Sequence, residues 1–306
     1  MLIECVPNFS EGRNLAHVDA ICEAIGAVAG VLLLHRTSDP DHNRTVITFA
    51  GGRLPVLEAA VRAAAAAVRL IDLNRHCGVH PRLGALDVLP FVPLEQAALP
   101  LCVDIAHEAG ARIWNELGVP VYFYQAAAAR PDRLQLENVR RGGFEYLREA
   151  VLFDETKQPD LGGPALHPTA GAVIAGARKL LIAFNINLQT TDLHLAKSIA
   201  RQIRASSGGL PAVKALGLPL ASRGLVQVSM NLTDFEKTPP HIAYAEVSRL
   251  AAAHGVLIEG SELIGLMPRR ALEMAAADLL KLSHFDSQCV LENRIRSLRS
   301  PPHSVS

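Results

Sequence analysis

The sequence predicts an α+β protein (α/β-type) built of two ferredoxin-like subdomains, each a mixed β-sheet covered by helices, with a cleft between them. Three observations predict it. Short apolar runs bounded by turn residues alternate with helix-period patterns along the chain. Their order, β-α-β-β-α-β, is that of a split βαβ unit and occurs twice. Between the two occurrences lies a breaker-rich stretch, Pro159 to Gly171 (PDLGGPALHPTAG), on the approach to a junction near residue 179. The expected units are 1–179 and 180–298, followed by a Pro/Ser-rich tail at 299–306.

Each element has its own warrant. Leu2 to Val6 is a short apolar strand, and Leu15 to Ala29 an amphipathic helix ended by Gly30. Val31 to His35 and Arg44 to Ala50 are strands joined by the polar turn Ser38-Asp39-Pro40-Asp41. Leu54 to Ile71 is helical, its alanines and spaced charges suiting a packed helix, and Ala85 to Val92 is a strand. A helix within Glu95 to Leu117 and a strand at Val119 to Tyr124 follow, then short helices in the mixed-charge segment Arg130 to Gln158. The second unit repeats the order. It has strand Leu180 to Leu188, helix Leu193 to Ser206, strands near Ala212 to Leu216 and at Gly224 to Thr233, helix Pro240 to His254, and strand Val256 to Leu263.

Composition excludes several classes. Of 306 residues 49% are apolar and 20% charged, which permits a sizeable core and argues against disorder. Thirty Lys plus Arg balance thirty Asp plus Glu, so no basic face invites nucleic acid or a membrane surface. The most apolar stretch, Leu54 to Ile71, is broken by Glu58, Arg62 and Arg69 and falls short of a membrane span. The N-terminus has Glu4 early and Pro7-Asn8 soon after, unlike a signal peptide. Five cysteines without CxxC spacing suggest neither zinc knuckle nor disulfide framework. A cytoplasmic, reducing location is expected.

The candidate chemistry centres on His76-Cys77-Gly78-Val79-His80-Pro81-Arg82-Leu83-Gly84, which feeds an apolar strand. An imidazole titrates near neutrality and can carry a proton between nitrogens. A buried histidine bonded to backbone at a strand entrance would look the same in sequence, and both readings of His80 stand at this level. His76 and His80 flank Cys77, but Gly78 and Pro81 argue against a helix that would align them on a metal.

Arg44 at the mouth of its strand suits bidentate carboxylate recognition as well as turn structure. Val6 to Arg13 joins the first strand to the first helix; Asn8 or Ser10 could cap that helix, and backbone donors beside Arg13 would suit an anion. The loop Gly162 to Gly171 lacks the spacing of nucleotide-binding loops. Asn185 and Asn187 share one face of an apolar strand, a costly arrangement unless they are hydrogen-bonded. Gln227, Ser229, Asn231 and Thr233 alternate with apolar residues, forming either a solvated face or the wall of a cleft.

Six segments taken together resemble the glutamate formiminotransferase family. They are VPNFSEGR (Val6 to Arg13), HNRTVITF (His42 to Phe49), HPRLGALDVLPFVP (His80 to Pro93), GARKLLIAFNINL (Gly176 to Leu188), GLVQVSMNL (Gly224 to Leu232) and ELIGLMP (Glu262 to Pro268). The resemblance runs to about residue 298. It implies transfer of a formimino group between N5 of tetrahydrofolate and the amino group of glutamate during histidine breakdown. It also implies His80 as catalytic acid/base, a homodimer, and tetrahydrofolate as co-substrate with no metal. By spacing from the GARK motif, the family's folate-binding loop falls on Gly162, Gly163, Pro164, Ala165, Leu166, His167, Pro168, Thr169, Ala170 and Gly171; animal members carry an aromatic where this chain has Ala170. Both substrates are rich in carboxylates, which suggests Arg44, Arg82 and Arg178 as clamps. The animal enzymes are fused to a cyclodeaminase, and with the chain ending at Ser306 that activity is expected on a separate polypeptide. A formyl-transferring homologue acting on N-formyl-glutamate or 5-formyltetrahydrofolate, or a non-catalytic folate-binding module, are the competing readings.

Overall fold

In the computed structural model, residues 1–282, 286–291 and 293 are described. The expected tail at 299–306 lies outside them.

The first sheet opens with β1 (Ile3–Cys5) and β2 (Asn8–Phe9), two pieces of one line of chain interrupted at Val6-Pro7. Both lie between β4 (Arg44–Gly51) and β5 (Leu86–Pro93) and are antiparallel to each. The edge strand β3 (Val31–Asp39) pairs with β4. Helices α1 (Leu15–Gly26) and α2 (Arg53–Leu70) complete the β-α-β-β-α-β unit. Beyond β5 the sheet continues in parallel through β7 (Val173–Ala177) to β6 (Val121–Gln125), with α3 (Leu99–Leu117) packed against them. α2 buries Val56, Leu57, Ala59, Ala60, Val61, Ala63, Ala64, Ala66 and Ala67. Its small side chains let it lie between α1 and α3 while covering the sheet.

The second sheet has β8 (Ile182–Leu188), β9 (Val213–Leu220), β10 (Leu225–Leu232) and β11 (Ile258–Ile264) in the order β11-β8-β10-β9. In both units the first strand lies between the third and fourth, with the second at an edge. Helices α6 (Leu193–Ile203) and α7 (Pro240–Ala252) cover one face, where Ile182, Phe184, Ile186, Val226, Val228 and Met230 are buried. Helix α8 (Arg269–Leu279) packs against α7. Between the sheets, 126–172 holds only short helices, among them α4 (Leu136–Val139) and α5 (Gly143–Ala150).

The differences from expectation have local causes. α1 stops at Gly26, because the N–H of Val28 bonds Ile25 in a tighter turn before Gly30 takes φ +83. β3 runs to Asp39, since Ser38 Oγ meets Thr45 Oγ1 across the ladder at 2.8 Å, so the turn falls after it. β7 was not expected at all. Gly176 gives it no strand signal, yet a Cβ there would lie 2.4 Å from Tyr124 O, so only glycine admits the neighbouring strand. β9 extends through Gly217 and Pro219 because it is an edge strand, where a missing N–H removes no ladder bond.

Candidate active site

His80 sits in a bend ahead of β5, in a segment docked on the turn before β4. Asn43 Nδ2 donates to Cys77 O at 3.0 Å, Val79 N to Asp41 O at 3.3 Å, and His76 Nε2 contacts Asn43 O at 2.9 Å. A Cβ on Gly78 would lie 2.3 Å from His42 O, so the approach demands glycine. His80 Nδ1 is 2.9 Å from Pro81 O. A carbonyl only accepts, so Nδ1 carries the proton and Nε2 presents a lone pair.

Beneath the ring, Asp87 is fully buried and receives three donors: Arg44 Nη1 at 2.7 Å, Arg140 Nη1 at 2.8 Å and Leu83 N at 2.7 Å. Burial alone would raise its pKa, but the two guanidinium groups and the Leu83 N–H overcome this and hold it at about 2. Two cations against one anion leave a net positive field. Burial foremost, then Arg44 and Arg140, hold His80 well below the ordinary histidine range, outweighing its Pro81 bond and Asp87. Protein surrounds the ring although one edge remains open to solvent. The imidazole is therefore neutral at pH 7, as a general base must be. His42, buried, lies with its ring centroid 5.7 Å away, and its Nε2 has no hydrogen-bond partner among the described residues.

The three arginines expected as clamps are differently engaged. Arg44 is buried, with Nε and Nη2 on Asn8 Oδ1 and Nη1 on Asp87. Arg82 uses Nε, Nη1 and Nη2 on His76, Glu145 and Leu73 O, bracing the loop from behind. Arg178, at the end of β7, donates Nη1 to Lys179 O. Asn8 thus holds Arg44, Ser10 Oγ donates to Gly84 O at 2.7 Å, and Asn14 caps α1 instead.

The loop 162–171 is stitched onto the same region. Leu73 N donates to Thr169 O at 2.8 Å, Asn74 Nδ2 to Pro168 O at 2.9 Å and Ala85 N to Ala170 O at 2.9 Å. His167 and Gly171 exchange backbone bonds, and His167 Nδ1 accepts from Ala170 N at 3.0 Å. Gly171 has φ +69, and a Cβ there would stand 2.1 Å from Leu83 O. Leu166 and Ala170 are buried, while Gly163, Pro164, Ala165 and Pro168 form the exposed rim.

The second sheet turns its polar face toward this region. Cross-strand pairing places Lys214, Gln227, Ser229, Asn231, Asn185, Asn187 and Glu262 on one side, opposite the helices. From that side Lys214 Nζ reaches Gln135 at 2.6 Å and Glu137 at 3.0 Å in the first unit. Ser222 bonds Asp41, next to His42, and Gly265 N donates to Thr37 Oγ1 at 3.4 Å. Among the described residues, the buried polar atoms without partners include His42 Nε2 and Thr48 Oγ1 on the first unit and Gln227 Oε1 on the second. A polar ligand between the units would satisfy them.

In the sequence alone, His42, Arg140 and Asp87 carry no site role. Arg140 lies in a mixed-charge segment and carries no local signal; only the fold brings it to Asp87. A cleft beside Tyr122, Arg133 and Lys157 shares no residue with this cluster, and its Arg133 is paired with Asp160. Among the described residues no group of three or more His, Cys, Asp or Glu could hold a metal ion.

Paired βαββαβ units, the first carrying a neutral histidine beside a buried Arg44–Asp87–Arg140 cluster, define a class of two-unit α+β proteins. The formiminotransferase domain, N-terminal subdomain, matches residues 2–178, and the formiminotransferase domain matches 183–296. The chain belongs to the formiminotransferase family. It is 46% identical over 296 residues to a glutamate formimidoyltransferase of Thermoplasma acidophilum, covering 96% of this chain and 97% of that protein. It is 42% identical to one of Streptococcus pyogenes serotype M1, covering 96% and 98%. A formimidoyltransferase-cyclodeaminase of Sus scrofa is 46% identical over 282 residues, covering 90% of this chain but 52% of that protein.

Proposed function

We infer that this chain is a glutamate formiminotransferase, a one-carbon transferase moving a formimino group between N-formimino-L-glutamate and N5 of tetrahydrofolate, in histidine degradation and one-carbon metabolism. The observation that carries the reading is the His80 ring, neutral, with Nδ1 tied to Pro81 O, Nε2 without a hydrogen bond among the described residues, and the unpartnered Nε2 of buried His42 beside it.

His80 Nε2 takes the proton from the attacking amine as its nitrogen bonds to the formimino carbon, and returns it to the departing nitrogen as the old C–N bond breaks. Proton balance is thus kept within one imidazole. General acid-base help of this kind supplies about 10² to 10⁴-fold, and holding two substrates in line supplies the rest. The exposed rim Gly163 to Ala165 and the backbone of 166–171 would hold folate. Arg178, which bonds Lys179 O and neighbours the Tyr124 hydroxyl, would hold a substrate carboxylate. Arg44 acts on His80 through its field.

We place the unit boundary at 179/180, between the core clusters Ile3 to Ala177 and Ile182 to Ala271. A homodimer is supported by the edge strand β3, which exposes Leu32, Leu33 and Leu34. A cytoplasmic location is supported by five free cysteines. No described helix is long and apolar enough to cross a membrane. The test is purified protein mixed with N-formimino-glutamate and tetrahydrofolate. Formation of 5-formimino-tetrahydrofolate is expected; its absence, with product from N-formyl-glutamate instead, would establish the formyl reading.

A further inference from the structure

The polar face of the second sheet holds a hydrogen-bond network with a defined direction. Gln227 Nε2 donates to Asn187 Oδ1 at 3.0 Å and to Glu262 Oε2 at 3.3 Å. Asn187 Nδ2 donates to Glu262 Oε1 at 2.7 Å, and Arg223 Nη1 donates to the same oxygen at 2.6 Å. These donors commit the Gln227 nitrogen inward, so its Oε1 is the free end. That oxygen is fully buried and accepts no hydrogen bond among the described residues. A buried acceptor left unpaired is costly, and the remedy is an N–H or O–H donor.

Beside it, Glu262 has three donors spread over two oxygens, which leaves acceptor capacity on Oε2. Both groups lie on the face turned to the first unit, close to where Ser222 bonds Asp41 and Gly265 bonds Thr37. The charge of Glu262 is felt at His42, whose ring neighbours that of His80. The unfilled positions of this network are acceptors: an amide oxygen and a carboxylate.

Formimino and formyl groups differ in this property. A formimino group is a strongly basic amidine, so at neutral pH it is a cation bearing N–H donors on its terminal nitrogen. A formyl group ends in a neutral oxygen that only accepts. We propose that Gln227 Oε1 and the Glu262 carboxylate together receive the terminal N–H donors of the transferred group, so that the second sheet selects an amidinium over a carbonyl. This inference rests on the transferase reading above and adds the residues that choose between the two one-carbon groups. A formyl oxygen in the same place would meet two acceptors and leave all three unpaired. Specificity then comes from repulsion of the wrong group as much as attraction of the right one.

The experiment measures kcat/KM for N-formimino-glutamate and for N-formyl-glutamate in wild type, Glu262→Gln and Gln227→Met. The ratio of the two constants is independent of how much of each preparation is folded, so a poorly folding variant still reports. The ratio is expected to fall about 10- to 100-fold in Glu262→Gln, the factor attached to a hydrogen bond with a charged partner, and less in Gln227→Met. Variants that lose both activities in proportion, leaving the ratio unmoved, would overturn the acceptor pair while the transferase reading stands. Wild type without formimino transfer would overturn both.

Discussion

Replacing Asp87 by asparagine removes the anion between two guanidinium groups and leaves its shape nearly unchanged. Asp87 is fully buried, and Arg44 and Arg140 both bond its Oδ2. Its pKa falls from the ordinary 3.8 to about 2, and at about 1.36 kcal/mol per pH unit that difference corresponds to roughly 2–3 kcal/mol of stability at neutral pH. Removing one member of a buried ion pair costs about 3–5 kcal/mol, because the partner charge remains. The sign follows from the lowered folded value. The contribution is complete above about pH 4, the unfolded range, and is lost as pH falls toward 2. Urea unfolding read by the chain's single tryptophan, Trp114 in α3, reports on the unit that holds Asp87. Asp87→Asn should be about 3–5 kcal/mol less stable at pH 7, the gap closing toward pH 2 as the wild-type carboxyl protonates. Should the variant not fold, Asp87→Asn with Arg140→Met should recover part of the loss. The same change takes a negative charge from beside His80. The acid limb of kcat/KM, below pH 6.5 in wild type because burial and two arginines disfavour the imidazolium, should move lower still. A gap under about 1 kcal/mol at pH 7, or one that does not depend on pH, would show that Asp87 is not held ionised between the two guanidinium groups.

Two further outcomes are expected. Gly171→Ala forces φ +69 on an L residue and drives a Cβ toward Leu83 O, so thermal unfolding should show a loss of at least about 1–3 kcal/mol, with a raised KM for tetrahydrofolate as the loop shifts. An unchanged melting temperature would contradict that geometry. Arg178→Met should raise KM for the carboxylate-bearing substrates about 10-fold with kcat within about twofold, as expected for a charged hydrogen bond formed equally in ground and transition states; steady-state kinetics distinguish this from a loss in kcat.

The paired βαββαβ order was legible because alternating apolar runs, as in Gly224 to Thr233, state their period plainly. β7 was not, because Gly176 is chosen for the approach of Tyr124 and that contact is invisible along the chain. His80 was legible as a titrating group in a rigid Gly/Pro setting. Its neutrality was not, since Arg140 reaches it through Asp87 across the fold. Arg82 looked like a clamp from its neighbour His80, yet three local acceptors and Glu145 occupy its fork. Sequence spacing shows which groups are near; it does not show which donors are already taken.

On the proposed reading, one neutral imidazole carries the proton between the two nitrogens. The direct measurement is kcat of formimino transfer in His80→Ala, at saturating substrates and with tetrahydrofolate binding measured on the same protein. A fall of about 10² to 10⁴-fold with binding retained is expected. A variant that binds folate and turns over at the wild-type rate would contradict it.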